Sequence, residues 1–301
     1  MRSSTPEFVT TERKPPAQVA PAPPRRRRFA RRFTRNPRAL AGGVILAAFA
    51  IMAVTAPVLA PYPPDVANFD HRLAAPGVAH LLGADHLGRD ILSRTIWASR
   101  TSLSIGFLST AIAITVGVVV GATSGYFGGA SDVLLMRLTD MVLAFPVFFI
   151  TVLFLALFGP SIPGLILVIG AISWPPTARV VRAEFLRMRT LDFVAAARSL
   201  GASEVRIMAR HILPNVVAVI VISVTLRVGV SILAEAGLSF LGLGVQPPTP
   251  SWGNLVADGR EYLRSAWWVS LFPGAFVFLS VMAFNLLGDG LRDAFDPKMK
   301  I

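Results

Sequence analysis

The sequence predicts an all-α, polytopic membrane protein with six transmembrane helices, and three observations predict it. Hydrophobic residues make up 53% of the 301 positions and charged ones only 15%, with a mean hydropathy of +0.61, a balance foreign to water-soluble domains. Long intervals carry no charge at all, and a helix needs about 20 apolar residues to cross a hydrocarbon core about 30 Å thick. Clusters of proline, glycine or arginine close these intervals where a span would leave the bilayer.

The stretch from Ala39 to Ala60 is free of charge, and Pro57, Pro61, Pro63 and Pro64 close it as the first span. The second has its apolar heart at Leu103 to Thr123, ahead of a glycine-rich turn at Gly125 to Gly129. From Met141 to Ala178 the uncharged interval is too long for one helix and contains the breaker Gly159 to Gly164. It reads as a third span starting near Met136, which draws Asp140 into the bilayer edge, and a fourth from Leu165 to about Val181. The fifth begins after Pro214 and reaches about Ala236, carrying Arg227 and Glu235. A sixth runs from Ala266 to about Gly288, opening with Trp267-Trp268, whose amphipathic rings suit an interface.

These boundaries divide the chain into a tail (1–38), a first transmembrane helix (39–60), an external loop (61–100), a five-helix core (101–291) with a long cytoplasmic loop (182–212), and a short C-terminal tail (292–301). Of 29 Lys and Arg, 20 fall on the side of the termini, 6 opposite and 3 within spans, so both termini are expected in the cytoplasm. Span one is too long for a cleaved signal peptide, and no convincing cleavage site follows it. The tail, with Arg25 to Arg28, Arg31, Arg32, Arg35 and Arg38, cannot bury a core and is expected to be disordered. Its partner is expected to be anionic lipid; no base-reading or stacking element supports a nucleic-acid partner.

Several chemistries are excluded. Without cysteine there is no disulfide, thiolate zinc site or cysteine-ligated cluster. The lysines are Lys14, Lys298 and Lys300, so no phosphate-binding loop ending in Gly-Lys-Ser/Thr exists, and ATP is not bound that way. His86 beside Asp85 belongs to no metal-binding or nucleophile motif and reads as a solvated loop histidine. No catalytic residue, metal ligand or bound cofactor is expected.

The informative segment is the cytoplasmic loop, Arg182 to Ile212, longer than a connector needs. Asp192 is expected to cap a helix with Phe193, Ala196, Ala197 and Leu200 on one narrow apolar face, and Gly201 to end it. A second helix is expected from Ser203 to Leu213, with Pro214 marking entry into span five. Such a helix-turn-helix suits a groove on a soluble partner, with Arg187, Arg189, Arg198, Arg206 and Arg210 placed to pair with acidic residues there; the competing reading is an interfacial helix lying on lipid.

This loop resembles the EAA motif of permease subunits of bacterial ABC importers: Ala195-Ala196-Ala197, then Gly201, then Leu213-Pro214. Ala195 stands where the motif has glutamate, and His211 where it has isoleucine. Three further stretches resemble the C-type permeases of dipeptide, oligopeptide and nickel importers. They are His80 to Leu103 (departing at Ala84 and Ala98), Asn36-Pro37, and Asp293 to Lys298.

The resemblance implies a MetI-like permease core within a heteromeric importer. Its expected partners are a second homologous permease, two ABC ATPase subunits carrying ATP and Mg²⁺, and an extracytoplasmic substrate-binding protein, all at a bacterial cytoplasmic membrane. It also implies that Asp192, Phe193, Ala195, Ala196, Ala197, Arg198, Leu200 and Gly201 form the ATPase-coupling helix. Peptide is the expected cargo, with nickel or glutathione as alternatives. Arg227, Glu235, Asp140 and Asn285 are candidates for the translocation path, and Asp289 joins them as a costly polar group; pairing at interfaces or between subunits is the other reading for each. A proton-coupled secondary transporter is the rival from another class; it would be expected to show inverted internal repeats, which the sequence does not reveal, and broken helices at the midplane.

Overall fold

The computed structural model describes Thr34 and residues 36–295. The arginine-rich stretch up to Arg35 and the end of the Asp293 to Lys298 stretch lie outside the described residues. Those described are helical, with one isolated β-bridge between Ala84 and Asp90.

Helix α1 (Pro37–Leu59) begins where Asn36 Oδ1 accepts from the backbone N–H groups of Arg38 (3.0 Å) and Ala39 (3.3 Å), with Pro37 in the first turn, where a missing N–H is harmless. It packs along the last helix, α10 (Trp268–Phe295). Gly42 lies so close to α10 that a β-carbon there would come within 2.6 Å of Ala283 O, and Asn36 Nδ2 donates to Asp293 Oδ2 at 3.1 Å. The two ends of the described helical body are therefore joined.

Helix α2 (Ile91–Phe127) has 37 residues and is about 55 Å long, so it projects beyond the hydrocarbon core. It starts twelve residues ahead of the expected heart at Leu103, because Asp90 caps it: Oδ2 accepts from the N–H and the hydroxyl of Ser93, both at 2.7 Å. Ser93, Arg94, Thr95, Ser99 and Ser102 are buried against other protein elements, so their polarity does not end the helix as it would in lipid.

The third span is not one continuous helix. It consists of α3 (Gly129–Ala144) and α4 (Val147–Phe158), bent by 75° at Phe145-Pro146, where proline lacks the N–H for the ladder and pushes its predecessor to extended backbone. The fourth span is α5 (Ile162–Ile172) and α6 (Pro175–Met188), interrupted before Pro175-Pro176. Because α6 continues past Val181, residues 182–188 of the expected loop are helix.

Helix α7 (Asp192–Ser199) follows, then a helical lead-in from Glu204 whose π-helical part, Ile207–Ile212, runs without interruption into α8 (Leu213–Phe240). Pro214 does not separate them. The wide π turn, in which Leu213 N–H reaches Met208 O, leaves room for the ring, and Asn215 Nδ2 donates to the His211 carbonyl at 2.7 Å. A short helix, α9 (Trp252–Asp258), folds back from the expected outer loop; Ser251 and Asn254 form its reciprocal cap.

At the centre, α2 lies against α6 along Gly117, Gly121 and Gly125, one residue per turn on a single face. A β-carbon at Gly117 would meet Trp174 O at 2.9 Å and one at Gly125 would meet Arg182 O at 2.6 Å, while Gly121 abuts the Ala178 carbonyl. Only glycine permits this backbone approach, the basis of close helix packing in membranes.

Asp85 holds the connection between α1 and α2 together. Its carboxylate accepts from Arg94 Nη1 (2.5 Å), Arg89 Nε (2.7 Å) and the N–H groups of Leu87 (2.8 Å) and Arg89 (2.9 Å), with both Asp85 and Arg94 side chains 1% exposed. Burial alone pushes this carboxyl up, but the Arg94 and Arg89 guanidiniums and the two N–H groups hold it below the ordinary aspartate range. His86 stacks on Tyr262 instead of standing free in solvent.

Two outcomes are expected. Gly121→Val lowers stability by about 1–3 kcal/mol through overpacking, seen as a lower unfolding midpoint in detergent, whereas Gly43→Val, which meets nothing within 4 Å, leaves it unchanged. Asp85 has a depressed folded-state pKa, so its contribution is present above the ordinary value of 3.8 and is lost as pH falls through the folded value. Asp85→Asn is expected to cost about 3–5 kcal/mol by stranding buried arginines and to remove this acid-induced loss; an unchanged acid unfolding profile would contradict the assignment.

Candidate functional site

The end of the bundle opposite the Asp85 junction is built around α7. Its inner face is Val194 and Ala197, both buried in a cluster with Ala122 and Tyr126 of α2, Phe185 and Met188 of α6, and Ile207 and Ile212 of the π segment. Phe193, Ala196 and Leu200 face outward, Phe193 41% and Leu200 88% exposed. This corrects the expected single apolar face. Ala197 belongs to the inner stripe with Val194, three residues before it, and the outer stripe is Phe193, Ala196 and Leu200.

Asp192 does not cap the helix. Leu191 occupies the cap position without a side-chain bond, and Asp192 lies exposed in the first turn, where its charge faces the positive helix end. Ala195 and Arg198 are exposed as well. Gly201, with φ of +77°, ends the helix: its N–H bonds Arg198 O at 3.0 Å, and Ala202 N–H bonds Ala197 O at 3.1 Å.

The link from α7 to the membrane runs through Tyr126, a residue the sequence did not single out. Its hydroxyl donates to Glu204 and accepts from Arg198 Nη2 at 3.2 Å, while its carbonyl accepts from Arg189 Nη1 at 3.1 Å. Beside it, Arg182 grips Asp132 in bidentate fashion at 2.5 and 2.6 Å, fixing the start of α3 to α6. Three of the five arginines expected to meet a partner are thus engaged within the chain: Arg187 with Glu184, Arg189 with Tyr126, and Arg198 with Tyr126 and Glu204.

The four candidates for a path are not brought together. Asp140 is exposed on α3 and pairs with Arg179 of α6 at 2.6 Å. Asn285 is exposed on α10, as is Asp289. Glu235 is 0% exposed. Ser239 and Ser251 hydroxyls donate to Oε1 at 2.6 and 2.8 Å, and Ser102 donates to Oε2 at 3.3 Å. Ser102 in turn accepts from Trp252 N–H at 3.1 Å, so this carboxylate joins α2, α8 and α9. In this chain it is an internal junction. Arg227 lines a partly open cavity of about 360 Å³ bordered by residues of α3 to α6 and α8.

Comparison with known proteins places this geometry. The family model described as binding-protein-dependent transport system inner membrane component matches residues 113–301, and that of the N-terminal transmembrane domain of oligopeptide transport permease C matches residues 25–76. A dipeptide transport system permease protein of Alkalihalophilus pseudofirmus is 38% identical over 95% of this chain and 94% of its own length. A glutathione transport system permease protein of Pectobacterium atrosepticum is 41% identical over 91% of each chain. An oligopeptide transport system permease protein of Haemophilus influenzae is 41% identical over 89% of this chain and 87% of its own.

Tyr126→Phe removes the hydroxyl that joins α2 to Glu204 and Arg198. A net loss of about 1 kcal/mol is expected, read as roughly fivefold faster amide exchange in residues 192–199 with exchange in the α2–α6 contact unchanged. Equal protection of α7 in both proteins would show that the link carries no weight.

Proposed function

The chain belongs to the family of binding-protein-dependent transport system inner membrane components, a transport permease with several membrane-crossing helices, and from that membership we propose that it is one permease subunit of an ATP-driven peptide importer. It works with a second, homologous permease, two ATPase subunits that bind ATP and Mg²⁺, and an extracytoplasmic substrate-binding protein. Peptide is favoured as cargo because relatives about 40% identical over most of the chain are named for dipeptide, oligopeptide and glutathione transport, the last itself a tripeptide. Nickel is the weaker alternative. Both termini lie in the cytoplasm, as the excess of basic residues on that side supports, and the tail rests on anionic lipid.

The observation that carries the reading is the two-faced α7. Its inner stripe is locked into the bundle, and its outer stripe of Phe193, Ala196 and Leu200 is apolar, exposed and interrupted at its centre by a small residue that lets another surface come close. A helix laid into a groove uses this arrangement. ATP-driven closure of the ATPase pair then displaces α7, and the Tyr126 junction with Arg189 and Arg198 passes the displacement to α2 and α6.

Ala196→Arg tests this without touching the inner stripe. The variant is expected to fold and insert normally, to retain the second permease, and to lose co-purifying ATPase subunits and at least nine-tenths of ATP-dependent uptake. If ATPase retention and uptake both survive, α7 is not the coupling element. Uptake by the isolated chain from a proton gradient alone would instead support a secondary transporter.

A further inference from the structure

A charged side chain deep in a span needs a partner, and Arg227 has no hydrogen-bond or ion-pair partner among the described residues. It lies midway along α8, fourteen residues beyond Leu213 and thirteen before Phe240, and is partly exposed. Its guanidinium lines the cavity of about 360 Å³, whose other walls are mostly apolar, with Val147, Phe148, Ile172 and Val230 among them.

Two helix interruptions open onto the same cavity. Leu143 and Val147 flank the 75° break at Phe145-Pro146, and Ile172, Ser173 and Pro176 flank the interruption between α5 and α6. Each lies near the middle of its span. Irregular backbone at membrane depth is tolerated where it is covered by protein or borders a wet cavity, because lipid cannot satisfy the released N–H and C=O groups. Of the hydroxyls in the wall, Thr151 is occupied by the Val147 carbonyl at 2.8 Å and Ser231 by Thr110 at 3.3 Å, while the Ser173 hydroxyl has no partner among the described residues. The cavity therefore presents one uncommitted cation, one uncommitted hydroxyl and an apolar wall at mid-membrane.

We propose that this cavity is a binding site for the transported solute and that Arg227 holds the solute's carboxylate during passage. The planar guanidinium fork matches a carboxylate bidentately, and Ser173 offers a further donor. Apolar walls accept a side chain and disfavour a hydrated inorganic anion. The volume lies within the usual range for small-molecule sites. This assignment rests on the proposed importer function and narrows its cargo to solutes with a free carboxylate, which peptides and glutathione have. A carboxylate side chain of the second permease would satisfy the same chemistry, and the test separates the two sources.

The test uses the complete transporter, with its binding protein at saturating concentration, in ATP-loaded proteoliposomes. Ala-Ala, Ala-Ala-Ala and glutathione are supplied as free acids and as C-terminal amides, to the unsubstituted complex and to Arg227→Gln and Arg227→Lys. In Arg227→Gln, uptake of a transported free acid is expected to fall about tenfold while uptake of its amide stays unchanged, so the acid-to-amide ratio collapses. Because the binding protein is common to all samples, its own preference cancels. Arg227→Lys is expected to restore part of the ratio. An acid-to-amide ratio that is the same in Arg227→Gln as in the unsubstituted complex overturns the assignment. If both uptakes fall together and the second permease is lost on purification, the carboxylate belongs to that subunit and the proposal is again overturned. Absence of ATP-driven uptake of every probe by the unsubstituted complex overturns the peptide-importer reading, and this assignment with it.

Discussion

Lipid gives helices no hydrophobic reason to associate, so a bundle in a membrane is held by how closely its backbones approach and by the polar groups it encloses. Here that approach is concentrated on α2. Gly117, Gly121 and Gly125 let α6 lie against it nearly backbone to backbone, and Gly106 does the same for Ile232 of α8. The remaining helices take their places around this contact: α5 seats Gly170 against Ile112, and α1 reaches the bundle through α10 and α2. The apolar cluster that anchors α7 begins where the glycine seam ends, at Ala122 and Tyr126.

Polar groups inside the spans divide into those the chain has satisfied and those it has not. Glu235 is enclosed by three serine hydroxyls drawn from α2, α8 and the approach to α9, and Asp132 is gripped by Arg182 and Ser124. Such groups fix the relative placement of helices, because losing any one partner leaves a buried polar atom without compensation. Arg227 belongs to the other class. Holding a guanidinium at mid-span without a partner costs free energy. Glu235 and Arg227, eight residues apart on one helix, thus differ in what satisfies them: the first has three hydroxyl donors, the second no partner among the described residues.

Much of the fold was legible in the sequence because charge-free intervals about 20 residues long have few other uses. What was not legible has identifiable causes. The polar start of α2 looked like loop, since Ser93, Arg94 and Thr95 are unsuited to lipid, yet they are buried against protein and the Asp90 cap starts the helix there. Helix α9 is too short for periodicity to reveal, although the Ser251 and Asn254 spacing carried a capping signal. Pro146 was a visible breaker inside an apolar run that length alone had already assigned to one span. On α7 the sequence located the helix and its glycine stop, but eight residues permit more than one apolar stripe, and Val194 decided which was buried. The partners of Glu235 and Tyr126 are separated from them by up to 133 and 78 positions, beyond any local pattern.

The length of α2 connects the two ends of the molecule. Its first turns carry Arg94, locked to Asp85 at one end of the bundle, and its last residues carry Tyr126, bonded to the segments around α7 at the other. Helix α2 runs 37 residues with no proline or π turn to break it. A displacement of α7 that moves Tyr126 and leaves α2 straight is carried toward the Asp85 junction, whose Arg94 lies about 48 Å along the helix. The broken third span and the interrupted fourth do the opposite: α3 and α4, and α5 and α6, can change their mutual angles at Phe145-Pro146 and at Ser173-Trp174. The cavity that Arg227 lines is bordered by residues at both of these breaks and by α8, so a change of either angle reshapes its walls.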